Sequence, residues 1–352
     1  MSSILSYCDW LSLALAIVPV QGARMEPTKT PSVPPIVIAH RGASGSRPEH
    51  TLAAYALAID QGADFIEPDL VPTKDDVLVA RHENAISETT DVAQHPEFAS
   101  RRTTKTIDGR AQTDWFVEDF TLAELKTLRA KERLPKLRAG NAAYDGRFEI
   151  PTLAEIIALA KRRSVGIYPE TKHPTYFAGI GHPTDAPLVA ELRAAGWDSA
   201  SAPVFIQSFE VANLQRLHAI TRIRLIQLTA GQGGPADDAA PSYAAMLTPA
   251  GLKQIAAYAY GIGPDKGQLW TGDAPTTLVA DAHAAGLRVH PWTYRAENVF
   301  VREPFRHGTD PAAHGDVKAE ITAALAQGID GFFTDFPLQG VEARTALRSG
   351  AK

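Results

Sequence analysis

From Ile36 onward, short β-branched runs alternate with longer stretches of helical period, and this alternation constrains the fold more than any other property of the chain. The runs are Ile36 to Ala39, Ala63 to Leu70, Val165 to Glu170, Val204 to Ser208, Arg224 to Leu228, Ala257 to Ile262, Leu287 to Trp292 and Gly331 to Thr334. Between them lie segments such as "HTLAAYALAIDQG", "TLAEIIALAKRRS", "APLVAELRAAGW", "EVANLQRLHAI" and "APTTLVADAHAAG". Their apolar residues recur at helical spacing, and several end in glycine, the usual C-terminal stop. Strands joined through crossover helices run parallel. The sixth run, "AYAYGIG", fits a helix end as well as a strand.

Eight strand-helix units in about 310 residues predict an α/β protein built as a TIM (β/α)8 barrel, one domain over residues 36–345. A doubly wound open sheet competes with it. Against the open sheet, no glycine-rich dinucleotide turn opens the first unit, whereas polar residues of catalytic type follow strand ends along the whole chain. With 45% hydrophobic and 21% charged residues, the 352-residue chain has enough apolar material for such a core. A net charge of −5 without a basic run argues against a nucleic-acid partner.

Two regions stand outside the alternation. Residues 83–149 carry the charged "ASRRTTKTIDGRAQTDW" and one helix signal, "TLAELKTLRAKE", and are expected to form an inserted lid or small subdomain. Residues 1–35 read as a signal peptide and linker. The segment "WLSLALAIVPV", Trp10 to Val20, is too short to span a bilayer, and Gly22, Ala23 and the proline-rich "RMEPTKTPSVPP" follow it, although no basic residue precedes it. This predicts a periplasmic or secreted protein. No other stretch is long and apolar enough for a stable membrane span. Cys8 is the single cysteine, which rules out an internal disulfide.

The stretch "VIAHRGA" ends an apolar run in His40, Arg41 and Gly42. In "ADFIEPDLVPTKDDVLVARHE", strand alternation puts Glu67 and Asp69 on one face, and a two-residue turn at Lys74 and Asp75 would set His82 opposite Glu67. In "GIYPETKHP", Glu170 and Lys172 share a face at a strand end. Three carboxylates without a thiolate suit a hard cation such as Ca²⁺ or Mg²⁺. Arg41 and Lys172 suit a phosphate, although Lys172 also reads as a salt-bridge partner of Glu170. His40 and His82 can pass protons near neutral pH. Phe209 and Trp292, after the fourth and seventh runs, read as pocket walls or as plain core. The inventory is that of metal-assisted phosphodiester cleavage.

These residues carry a resemblance. The segments "AHRGASGSRPEHTLAAYALAIDQGADFIEPDLVPTKDDVLVARHE", "DFTLAELKTL", "IPTLAEII", "YPETKHP", "FIQSFE", "HPWTY" and "DGFFTDFP" resemble, in order, the glycerophosphodiester phosphodiesterases of the bacterial periplasmic kind. The resemblance implies a TIM barrel with an insertion after the second histidine, and hydrolysis of glycerophosphodiesters to sn-glycerol 3-phosphate and an alcohol. It implies His40 and His82 as the acid/base pair, Glu67, Asp69 and Glu170 as ligands of a divalent cation, and Arg41 and Lys172 as phosphate contacts. One departure is Glu83, where the family more often has Asp after the second histidine. Two other functions compete: a phospholipase D-like enzyme on the same barrel, which should present an exposed apolar rim, and a non-catalytic receptor for phosphate esters, which should have lost a histidine or a ligand.

Overall fold

The computed structural model describes residues 34–350. The expected leader at Trp10 to Ala23 lies outside the described residues. The first barrel strand, Ile36–His40, pairs in parallel with the eighth, Gly331–Thr334, and with the second, Phe65–Glu67. The second strand breaks at Pro68 and resumes as Asp69–Pro72, and the third, Gly166–Ile167, breaks at Tyr168 and Pro169 and resumes as Glu170–Thr171. Proline has no N–H for a ladder, so each strand changes from one sheet to the other at its proline. The first pieces pair with each other, and so do the second pieces.

The ring continues through the fourth strand, Phe205–Ser208, the fifth, Arg224–Thr229, the sixth, Gly261–Pro264, and the seventh, Arg288–Val289. Closure comes between seventh and eighth. The amides of Asp330 and Phe333 donate to the carbonyls of Val289 (2.9 Å) and Pro291 (3.0 Å), and the Tyr294 amide donates to Phe333 (2.8 Å). Every strand is followed by a helix on the outside: Leu52–Asp60, Leu153–Arg163, Asp185–Ala194, Val211–Ile220, Pro249–Ile255, Leu278–Ala284, Val317–Leu325 and Pro337–Gly350. This is a (β/α)8 barrel.

The second of these helices shows why the sequence complies. Thr152 accepts from the Glu155 amide while the Glu155 carboxylate accepts from the Thr152 amide, so two orphan donors are satisfied at the start. Leu153, Ile156, Ile157 and Ala160 then bury one face, and Lys161, Arg162 and Arg163 complement the negative end. Truncating Ile156 to alanine would cost about 2–5 kcal/mol. Inside the barrel, Tyr168 stacks 4.9 Å from Phe205 and stands edge-on to Phe333 at 5.0 Å. The Tyr168 hydroxyl lies 2.9 Å from Nδ1 of His290, whose pKa burial pushes down to about 4, so this histidine is a neutral core residue.

Three expectations are corrected. The sixth strand begins at Gly261, because residues 257–260 still belong to the turn that follows the Pro249–Ile255 helix. The hairpin after the second strand pairs Leu70 with Ala80 and Pro72 with Leu78, one residue out of the expected register. Its loop is longer than two residues: the Thr73 amide donates to Val77, the Thr73 hydroxyl accepts from the Val77 amide, and Asp76 takes φ of 61°. The ladder therefore ends with the Arg81 amide on the Asp69 carbonyl (2.9 Å), and His82 is not opposite Glu67. "TLAELKTLRAKE" forms only the single turn Leu122–Leu125, since Ala130 is drawn into a bridge with Thr90 and local propensity yields to that contact.

Between Arg81 and Thr152 the chain forms an antiparallel hairpin, Thr103–Ile107 with Arg110–Asp114, and several short helical turns. Ile86, Val92, Phe98, Val117, Phe120 and Leu125 cluster there against Val71 and Val79 of the barrel hairpin. No helix among the described residues is long and apolar enough to cross a membrane.

Candidate active site

His40 is the last residue of the first strand, and the chain turns sharply after it. Arg41 takes φ of 59° and Gly42 φ of 85°, and a Cβ on Gly42 would meet the backbone of Ala54 at 2.7 Å. Only glycine fits there. The left-handed Arg41 is held by its own amide, which donates to Glu67 Oε2 at 2.8 Å, and by its guanidinium, which donates to both oxygens of Glu49 at 3.0 and 3.1 Å. Arg41 Nε also lies 3.4 Å from Asp69.

Glu67, Asp69 and Glu170 bring carboxylate oxygens within 4.8 Å of one another. All three are buried. Burial, with Asp69 and Glu170 nearby, pushes Glu67 well above the usual carboxylate range. Burial likewise carries Glu170 up to about 8, against the pull of Lys172. For Asp69, burial is outweighed by Lys172 and by the hydrogen bond from His50, and its carboxyl stays well below the usual range. Asp69 Oδ1 is buried without a hydrogen-bond partner. Crowded oxygen donors that resist common ionisation, with one orphaned oxygen among them, fit a hard divalent cation. Lys172 lies 2.7 Å from Glu170 and 3.5 Å from Asp69, so the salt-bridge reading of this lysine holds whatever else it touches.

The two histidines are fixed in the same way. Nδ1 of His40 donates to Asp335 Oδ1 at 2.6 Å, and Nδ1 of His82 lies 2.9 Å from Glu83 Oε1. Asp335 is ionised, because Arg295 and Arg138 outweigh its burial, and a carboxylate only accepts. His40 Nε2 is therefore left with its lone pair. Burial and then Arg41 depress His40 to about 4; burial, Arg41 and Lys172 depress His82 to about 3. Glu83, the departure from the family pattern, reaches its imidazole and also lies 3.1 Å from His173.

His40, Arg41, Glu67, His82, Glu170, Lys172, Phe209 and Trp292 all line one cavity of about 90 Å³ at the carboxyl ends of the strands. Asp69 joins through the carboxylate cluster. Phe209 and Trp292 meet edge to face at 5.7 Å on the wall of this cavity, and each also packs against a core cluster.

Several residues that shape the site carry no signal in the sequence pattern. His50 donates from Nε2 to Asp69 Oδ2 and accepts at Nδ1 from the Tyr55 hydroxyl, 2.8 Å from each. Gln207 donates to Glu67 Oε1 at 3.1 Å. Arg138, from the insertion, donates to Glu297 at 2.6 Å and to Asp335 at 2.5 Å. Asp335 closes the eighth apolar run as His40 closes the first, so the strand-end rule applied there would have found it. No local pattern marks Arg138.

Comparison with known proteins places the chain in a family. The profile of the glycerophosphoryl diester phosphodiesterase family matches residues 40–339. A glycerophosphodiester phosphodiesterase of Arabidopsis thaliana is 38% identical over 321 residues, covering 86% of this chain and 84% of the relative. One from Haemophilus influenzae is 30% identical over 344 residues, covering 87% and 89%. Among solved structures, a glycerophosphoryl diester phosphodiesterase from Silicibacter pomeroyi superposes with a TM-score of 0.65 at 22% identity, over 90% of this chain and 95% of the other. A phosphodiesterase of Oleispira antarctica in complex with the product sn-glycerol 3-phosphate superposes with a TM-score of 0.61 at 23% identity, over 88% and 96%. By the extent of the family match and by these relatives, the chain belongs to the glycerophosphoryl diester phosphodiesterase family of enzymes.

Proposed function

We propose that the chain hydrolyses glycerophosphodiesters to sn-glycerol 3-phosphate and the free alcohol, with His40 and His82 as the acid/base pair and Glu67, Asp69 and Glu170 as ligands of a divalent cation. The observation that carries the reading is the pair of imidazoles, each engaged at Nδ1 by its own carboxylate, on the wall of a single cavity with Arg41 and the carboxylate cluster. A cation such as Ca²⁺ or Mg²⁺ held by the three carboxylates would supply Lewis-acid polarisation of a phosphoryl oxygen.

The chain's own residues do the rest. Arg41 faces the phosphate with its position set by Glu49, and it balances charge that grows on the phosphoryl oxygens as the nucleophile adds. Lys172, on the wall of the same cavity, is a second phosphate contact even though it is paired with Glu170 and Asp69. One histidine takes a proton from the attacking hydroxyl as its oxygen bonds to phosphorus, and the other gives a proton to the alcohol oxygen as the old P–O bond breaks. Burial depresses both imidazoles in the free protein, so one is ready to accept a proton; the other takes up a proton at Nε2 when the anionic phosphodiester binds beside it, and this is the proton it gives to the leaving alcohol.

The lipid-cleaving alternative gains no support. The exposed large apolar side chains among the described residues, including Ile180, Ile220 and Val299, line neither this cavity nor its larger neighbour. The test is glycerol 3-phosphate release from glycerophosphocholine with and without EDTA, followed by restoration with Ca²⁺ or Mg²⁺. Loss on chelation and recovery on addition are expected; full activity after thorough chelation would remove the cation from the reading.

A further inference from the structure

Beside the catalytic cavity, and sharing Glu170, Lys172 and Phe209 with it as walls, lies a second cavity of about 460 Å³. The inner cavity, of about 90 Å³, is the smaller of the two. For a phosphodiester seated there, the outer cavity is the adjoining space for an ester arm.

The chemistry of its walls is graded from the shared side outward. Lys172 is committed to Glu170 and Asp69, and His173 is pinned between Glu83 and Asp108 (3.1 and 2.7 Å), so two of the cations on this wall are already neutralised. Arg110 is the third, on the exposed hairpin. Farther in, Glu210 is 2% exposed. It accepts from the amide and the hydroxyl of Thr175 and forms no ion pair among the described residues. No cation balances this carboxyl, so burial raises its pKa, and a bound ammonium group would supply the counter-charge that the protein does not. Asp237 adds a further carboxylate to the surroundings of Tyr243.

Against this negative field stand two aromatic rings, Phe209 and Tyr243, with centroids 6.0 Å apart and planes at 68°. Phe209 already carries one ammonium, Nζ of Lys172, 5.6 Å over its ring. Aromatic walls beside an uncompensated carboxylate recognise an ammonium group; an anionic arm would be repelled, and a neutral polyol would leave both features unused.

We infer that the outer cavity receives the leaving alcohol and selects alcohols that carry an ammonium group, with Tyr243 and Glu210 as specificity residues. The inference rests on the hydrolytic reading of the catalytic cavity. The experiment compares kcat/KM for glycerophosphocholine with that for its neutral isostere, the 3,3-dimethylbutyl ester of glycerophosphate, in the wild type and in the Tyr243→Leu and Glu210→Gln variants.

The wild type should prefer the cationic ester by roughly three- to thirtyfold, the range expected of ammonium–ring contacts, and each variant should move that ratio toward one. Glu210→Gln keeps the shape and removes only charge, so it answers even if Tyr243→Leu fails to fold. Equal rates on both esters in the wild type, or equal losses on both in the variants, would overturn the inference while leaving hydrolysis intact. Failure to release glycerol 3-phosphate from either ester would instead overturn the hydrolytic reading beneath it.

Discussion

His40 and His82 stand in the same cavity and are engaged by carboxylates at the same ring atom, yet the two regions that hold them are built differently. Around His40 the partners follow in three successive steps: buried Asp335 on the imidazole, buried Arg138 and half-buried Arg295 on Asp335, and buried Glu297 on Arg138. Around His82 the partners lie at the rim. Its side chain is 29% exposed, Glu83 is 43% exposed, and the chain of contacts runs on through His173 to Asp108 at the tip of the inserted hairpin. Proton transfer needs both rings equally oriented, but the buried network couples orientation to the stability of the fold, whereas the rim network can loosen without unfolding anything.

The largest effects should not distinguish the two. His40→Ala and His82→Ala are each expected to lower turnover by roughly a hundredfold to ten-thousandfold, with circular dichroism unchanged. A small loss from either change would break the equivalence and remove that histidine from proton transfer.

One step out, the regions should separate. Asp335→Asn keeps the shape of the buried partner but removes its charge and can turn an N–H toward Nδ1, so the ring tautomer is no longer fixed, and kcat should fall by at least about tenfold with little change in KM. Glu83→Gln, at the exposed rim, should cost less than Asp335→Asn in the same assay. The reverse order would show that the rim acid does more than orient.

Stability sharpens the contrast further. Arg138→Met leaves Glu297 buried without a cation and strips Asp335 of one of its two, and is expected to cost about 3–5 kcal/mol in denaturant unfolding. Asp108→Asn breaks a partly exposed pair and should cost at most about 1 kcal/mol. Similar values for the two would contradict the division into buried and rim networks.

The smallest effect concerns pH. Burial would lower His173, but its hydrogen bonds to Asp108 and Glu83 raise it to about 9, above its unfolded value of 6.5. The sign follows: this contribution is fully present below about pH 6.5 and is lost as pH rises toward 9. Melting temperature should decline over that window in the wild type, and the decline should be shallower in His173→Gln. An unchanged profile in the variant would place the decline elsewhere.

The sequence exposes these regions unequally, and the reason is physical. Strand ends are legible because burial writes them as apolar runs, and a polar residue that closes such a run must face the mouth of the barrel. That rule reaches His40, Glu67, Glu170 and Lys172. Prolines 68 and 169, which break the second and third strands, leave the hydrophobic pattern intact and so pass unseen. The hairpin register turns on one extra loop residue, which side-chain alternation alone does not fix. Least legible is the buried network: Arg138 meets Asp335 across 197 positions of sequence, and no local periodicity encodes such a contact. His50 closes the quoted "AHRGASGSRPEH" stretch, but only the fold reveals that its ring spans Asp69 and Tyr55.

The central claim is that two differently built regions serve one transition state, and a double-mutant cycle tests it most directly. The kcat for glycerol 3-phosphate release would be measured for wild type, His40→Ala, His82→Ala and the double variant under saturating Ca²⁺ or Mg²⁺. If the imidazoles act as a unit, the double variant should fall about as far as the worse single change, because the first loss already forfeits what the second residue contributes. Losses that multiply would mean that the two histidines act in separate steps, which contradicts a shared transition state.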